Sequence, residues 1–331
     1  MDELRFIDLF CGIGGLRLAL ENMARERGIS ISCELSSDID PEAQITYEAN
    51  FSERPLGDIC NIKAKDIPEH DLLLAGFPCQ PFSIMGERKG FDDTRGTLFF
   101  EIARILAEKK PKALILENVK QLVGHDEGRT LKHIMETLKY LGYHAQYKVL
   151  NALNYGLPQK RERVFIVGFR EPIRFEWPVK HLTMKPLEEL LETEVSEFYY
   201  ASEKIRQDRL AKHNKINSHR TIWHENKGGH ISAYPFSCAL RAGASYNYLL
   251  VDGERRLTER EMLRLQGFPE TFKIVCGYAS MRKLTGNSVA VPVVEAVARS
   301  VLNALIKPED PFVQASFFND LIGKKRNFVS I

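Results

Sequence analysis

The sequence predicts an α/β fold: a doubly wound, mostly parallel sheet with a smaller, irregular second unit. Three observations carry that expectation. Apolar strand-length runs alternate with helical segments through the first 170 residues, a glycine-rich turn joins the first run to the first helix, and the helical period largely disappears between 171 and 250. Strands separated by helices of this length pair in parallel, because a parallel neighbour is reached only through a long crossover.

In chain order, LRFIDLF (4–10) reads as a strand and LRLALENMARE (16–26) as the helix opened by the glycine turn. ISCEL (31–35) is a second strand, and PEAQITYEAN (41–50) a helix with Pro41 near its first turn, where a missing N–H costs nothing. DLLLAG (71–76) is a buried strand ending at Gly76, followed by a helix near TLFFEIARILAEK (97–109). ALILEN (113–118) is another strand, RTLKHIMETLKYLG (129–142) a helix closed by Gly142, and RVFIVGF (163–169) one more strand. Between 171 and 250 only 201–213 keeps a helical period. LTEREMLRLQGF (257–268) restores a helix, with Thr258 as N-cap and Glu261 three residues on, a capping box. VAVPVVEAVARSVLNALI (289–306) reads as a long helix with an apolar face. The boundaries expected are 1–170 plus 251–306 for the main unit, 171–250 for the second, and 307–331 as a tail without assigned role.

Of 331 residues, 44% are hydrophobic and 27% charged, with a net charge of +2, so any nucleic-acid surface must be a local patch. One candidate patch holds seven Lys or Arg against two acids between 204 and 227. The N-terminus MDELRFID has no secretory h-region, and no apolar run approaches the roughly 18 residues of a membrane span. A cytoplasmic, reduced protein without a membrane partner is expected. The six cysteines form no CxxC pair, and histidines 213, 219, 224 and 230 match no zinc spacing, so no metal is assigned.

GFPCQPFS (76–83) sets Cys79 between two prolines that fix the backbone on either side, at the point where the DLLLAG strand meets a loop. Chemistry in open α/β sheets gathers at such strand ends. DLFCGIGG (8–15) is a strand, glycine turn and helix that lets a ligand approach the helix N-terminus; without the Lys-Ser/Thr of a P-loop it does not suit a triphosphate. Asp38 and Asp40 follow the second strand where a ribose-binding carboxylate belongs, and Asp58-Ile59 suits an adenine ring. A nucleoside-bearing cofactor follows; these features alone do not separate NAD from S-adenosylmethionine. Glu117 ends the ALIL strand at the same sheet edge as Cys79. Arg161 and Arg163, at i and i+2 of an extended segment, point the same way, where they can lower a thiol pKa or hold a phosphate.

DLFCGIGG, PCQPFS, ENV, QKRERVFIVG, RRLTERE and GNSVAVPVV, in this order and spacing, resemble the motifs of the bacterial DNA (cytosine-5) methyltransferases of restriction-modification systems. The resemblance covers 4–170 and 250–306; the 171–250 stretch falls where that family carries its target-recognition domain. It implies a Rossmann-like, S-adenosylmethionine-dependent methyltransferase acting on double-stranded DNA, with the candidates for each role set by motif position. Cys79 would be the nucleophile, Glu117 the group at N3 of cytosine, and Arg163 the contact to O2, with Arg161 ordering the site. Ser83 belongs to the same catalytic set. Phe10, Gly12, Ile13 and Gly15 would face the cofactor, Asp38 its ribose, Ile39, Asp58 and Ile59 its adenine, and Pro78, Leu98, Asn287 and Ser288 its methionine side.

The target base must leave the duplex to be reached. By the same resemblance Gln80 and Arg95 would meet DNA, the latter from a glycine-hinged loop, GERKGFDDTRG (86–96), that closes over it. KGGH (227–230) is a candidate to fill the vacated space: Lys227, Gly228 and Gly229 allow close approach and His230 supplies a planar ring. In CALRAG (238–243), Ala239-Leu240 stands where the family usually has Thr-Leu, leaving Arg241 or Cys238 to substitute for the missing hydroxyl. Asp38 stands where Glu is more usual, which leaves the ribose contact open between Asp38 and Asp40. A cognate restriction endonuclease and a monomeric state are the expected associations. An NAD-dependent dehydrogenase would give PCQPFS no role; a silent DNA-binding relative would be expected to have lost Cys79 or Glu117. A relative acting on tRNA shares the chemistry, but the 80-odd-residue insert favours DNA.

Overall fold

The computed structural model describes residues 3–78, 98–179, 182–213 and 219–306. Its centre is a six-stranded sheet of order β2-β1-β3-β4-β7-β5. The strands are β1 (Leu4–Leu9), β2 (Ile31–Ser37), β3 (Leu72–Gly76), β4 (Ala113–Val119), β5 (His144–Asn151) and β7 (Glu162–Phe169), with a two-residue β6 (Gln159–Lys160) just before the last. The helices are α1 (Gly15–Glu26), α2 (Pro41–Phe51), α3 (Leu98–Lys109) and α4 (Arg129–Tyr140).

The period of two along the strands divides the apolar residues between two layers. Phe6, Leu72 and Leu74 face a core closed by α1 and a C-terminal helix, whereas Ile7, Leu73 and Ala75 face a core closed by α3 and α4. Covering on both faces is why DLLLAG is continuously apolar instead of alternating.

The first four strands of the sheet run parallel, as expected. RVFIVGF is the exception: β7 lies antiparallel to both β4 and β5. The connection from β5 to β7 is too short for a crossover helix, so the chain returns as an antiparallel pair. β5 itself was not expected from the sequence. HAQYKVLN is an edge strand with mostly exposed or half-buried residues, so it carries no apolar run.

The second unit contains an antiparallel sheet of order β11-β8-β9, built from β8 (Ile222–Glu225), β9 (Ile231–Tyr234) and β11 (Leu249–Val251), with α5 (Glu203–Lys212) beside it. β10 (Ser237–Cys238) pairs in parallel with β6, just before β7 in the chain, in a separate two-stranded sheet. The core of the second unit draws on Ile222, Leu240 and Leu249, and also on Met262 and Leu265 of α6 (Glu259–Gln266). The 250/251 boundary falls inside β11.

The expected capping box is formed: Thr258 Oγ1 accepts from Glu261 N at 3.1 Å and Thr258 N donates to Glu261 Oε2 at 2.8 Å. Arg255 clamps the same carboxylate through two bonds of 2.9 and 2.8 Å. The chain ends its described course in α7 (Tyr278–Asn287) and α8 (Val291–Leu305). Contrary to the sequence expectation, Tyr278–Leu305 includes a window long and apolar enough to cross a membrane. The stretch is broken at Ser288–Ala290, and the apolar face of α8 is buried against α1 in the main core.

Candidate active site

The C-terminal ends of β1, β3 and β4 form one edge. After β1 the backbone turns sharply: Phe10 has φ 53°, Gly12 φ 54° and Gly14 φ 82°. The two glycines serve different ends. A Cβ at Gly14 would stand 2.2 Å from the Phe51 ring, so glycine there lets α1 pack on α2. A Cβ at Gly12 would meet nothing within 4 Å, so the backbone there faces open space a ligand can enter. Ile13 is buried, and Gly15 packs beneath Val289 and Ser288.

Asp38 is bound to this turn. Its Oδ2 accepts from Gly12 N at 2.8 Å and its Oδ1 from Asp40 N at 2.8 Å. Asp40 is committed elsewhere: it caps α2 by accepting from Glu42 N at 3.1 Å and pairs with Lys283 Nζ at 2.6 Å. Between them Ile39 is 71% exposed, an apolar side chain in the position of a platform. Asp58 is exposed and caps the short helix Ile59–Asn61, while Ile59 is buried under it. Leu98 is half-buried and Asn287 exposed, with Ser288 buried beside the turn. An open glycine turn, a carboxylate fixed to it and an exposed apolar platform are the donor set that a nucleoside-bearing cofactor requires.

Gly76 and Glu117 are register partners at the ends of β3 and β4. Asn118 Nδ2 donates to Phe77 O at 2.9 Å, pinning the exit of β3 beside Glu117. Pro78 follows, exposed; Cys79, Gln80, Ser83 and Arg95 lie outside the described residues. Glu117 Oε1 is buried without a hydrogen bond among the described residues, and Arg163 Nε stands 3.1 Å from it. Burial pushes the Glu117 carboxyl above its ordinary value, against the opposing pull of Arg163 and then Arg161. Such a carboxyl, when protonated, can donate to a ring nitrogen.

Arg161 is enclosed, and its two terminal nitrogens bond to carbonyls: Nη1 to Leu240 O at 3.0 Å, Nη2 to Gly286 O at 3.2 Å and to Ser288 O, while Nε has no partner among the described residues. It therefore joins three segments, and those bonded donors are not available to a phosphate.

A family model for C-5 cytosine-specific DNA methylases matches residues 4–303. The chain belongs to this family. The Type II methyltransferase M.NgoBI of Neisseria gonorrhoeae is 56% identical over 295 residues, covering 88% of this chain and 91% of that protein. M.HaeII of Haemophilus aegyptius, also a Type II methyltransferase, is 52% identical over 309 residues, covering 92% and 95%. The crystal structure of the Dnmt2 methyltransferase of S. pombe has the same fold, with a TM-score of 0.69 at 23% identity over 92% of this chain and 100% of that one.

In this cytosine-5 methylase the KGGH segment forms the turn between β8 and β9. Asn226 Oδ1 accepts from Gly228 N at 2.8 Å and His230 N at 3.1 Å, and Gly229 takes φ 76°. Lys227, Gly228 and His230 are exposed at its tip. Arg241 is exposed too, its guanidinium 4.8 Å from the Tyr248 ring centroid. The basic run of 204–227 is less free than its composition suggests. Arg209 is buried and bonded to Glu225 at 2.9 Å and to Asn247 O, and Arg220 pairs with Asp252 at 2.6 Å. The sequence reading missed Gln159 and Asn118, whose roles depend on backbone partners far away in the chain.

Proposed function

We propose that this methylase transfers a methyl group to C5 of a flipped-out cytosine in a short duplex DNA site, through a covalent bond from Cys79 to C6. The pairing of Glu117 with Arg163 beside the exit of β3 carries the reading. Cys79 adds as thiolate to C6, and Glu117 donates to N3 as charge moves into the ring, so that C5 becomes nucleophilic. Arg163 holds Glu117 and contacts O2. Gly12, Asp38 and Ile39 would hold S-adenosylmethionine, which would supply an electrophilic methyl for C5 and leave as S-adenosylhomocysteine. Water takes the C5 proton, the Cys79 thiolate leaves as the 5,6 double bond re-forms, and N3 returns its proton to Glu117.

In this reading 171–250 recognises the site, with KGGH and Arg241 toward DNA, and Gln80 and Arg95 join from the other side. The expected setting is the cytoplasm, as a monomer, with an endonuclease of the same site specificity. Supplying labelled S-adenosylmethionine with duplex DNA or tRNA should label the DNA only, and Cys79→Ala should abolish labelling while cofactor binding persists. Label in tRNA alone, or Cys79→Ala turnover within tenfold of wild type, would contradict this.

A further inference from the structure

The geometry points to Gln159 as a positioning residue that holds the Ala239–Arg241 segment in register with the Glu117–Arg163 pair. The inference rests on the methyltransferase reading above. Gln159 is 0% exposed and uses its whole amide. Its Oε1 accepts from Leu240 N at 3.2 Å, and its Nε2 donates to Leu265 O at 2.7 Å and Gln266 Oε1 at 3.4 Å. The carbonyl of the same Leu240 accepts from Arg161 Nη1 at 3.0 Å. Both polar groups of the Leu240 backbone are therefore held by side chains two residues apart in the chain.

Two residues further on, Arg163 reaches Glu117. The short stretch from β6 into β7 thus holds the recognition segment at one end and the Glu117 carboxyl at the other. The opposite side of the segment is equally constrained: a Cβ on Gly286 would lie 2.4 Å from Ala242 N and 2.7 Å from the carbonyl carbon of Arg241. Gln266 Nε2 donates to Thr285 O at 2.7 Å and fixes that wall. Leu240 points inward at 3% exposure while Arg241 is exposed. The side chain that can meet DNA is therefore placed relative to Glu117 through the Leu240 peptide.

Releasing that peptide should loosen what the enzyme accepts before it should affect what cofactor it binds. Gln159→Met keeps the volume and removes the bond to Leu240 N. The wild-type site is first found by sequencing DNA for 5-methylcytosine after expression. Methylation is then measured on that duplex and on duplexes changed at one base pair.

The expected result is that the ratio of kcat/KM between the two shrinks about tenfold, the net worth of one buried hydrogen bond. S-adenosylmethionine affinity should stay within twofold. A merely structural role would slow both substrates alike and leave the ratio unchanged. Gln159→Asn, which keeps the amide but withdraws it by one methylene, carries the same test should the Met variant fail to fold. An unchanged ratio in a folded variant overturns the inference. A wild type that methylates no DNA overturns the function itself, and the inference with it.

Discussion

Arg163 Nε lies 3.1 Å from Glu117 Oε1, and both side chains are largely buried where β4 and β7 run side by side. Removing the acid while keeping its shape isolates its proton. Glu117→Gln should lower the single-turnover methylation rate by about two to four orders of magnitude. The pH profile provides a second, independent measure. Burial raises the Glu117 pKa and Arg163 holds it down, so the protonated form persists to higher pH when that charge is gone. In Arg163→Gln the descending limb of rate against pH should move to higher pH. Movement to lower pH would mean that another group governs that limb.

The existing bonds of Asp38 and Asp40 favour Asp38 as the proposed ribose contact. Asp38 is fastened to Gly12 N, whereas Asp40 caps α2 and pairs with Lys283. Asp38→Ala should weaken S-adenosylmethionine binding at least tenfold in calorimetric titration. Asp40→Ala should leave that affinity within about threefold and instead cost about 1 kcal/mol of stability, the worth of an N-cap. The reverse pattern would reassign the ribose contact to Asp40.

Local chemistry made much of this arrangement legible beforehand. The glycine turn, Pro41 at the start of α2 and the Thr258–Glu261 box each follow from residues within a few positions of one another. What was not legible depends on distant partners. β5 is an edge strand whose pairing with β7, not its own composition, makes it a strand. The antiparallel turn of β7 reflects a connection length that was read as part of a parallel series. At the site, Glu117 and Arg163 could be named from motifs, but the enclosure of Arg161 by Leu240, Gly286 and Ser288 could not, because the last two lie more than a hundred residues away. Arg209 shows the same limit in reverse: charge in the sequence suggested a solvated face, and Glu225 with Asn247 O draws it inward.

Beneath the glycine turn, β1 buries a carboxyl with no visible use. Asp8 is 0% exposed, and neither oxygen has a hydrogen-bond partner among the described residues. Burial pushes its pKa up to about 8, with Arg17 opposing and Asp38 and Glu53 adding to the rise. The folded protein therefore holds a proton that the unfolded chain releases near the ordinary carboxylate value. Where the native state binds more protons, stability falls with rising pH. The contribution of Asp8 is complete below about pH 4 and is lost as pH rises through about 8, with an upper limit on the order of 5 kcal/mol. Asp8→Asn mimics the neutral form at every pH. Thermal melts across pH 5–9 should show the wild type losing stability faster than Asp8→Asn as pH rises, with the variant the more stable of the two at pH 9. Parallel curves would show that Asp8 does not change charge in the folded protein over this range.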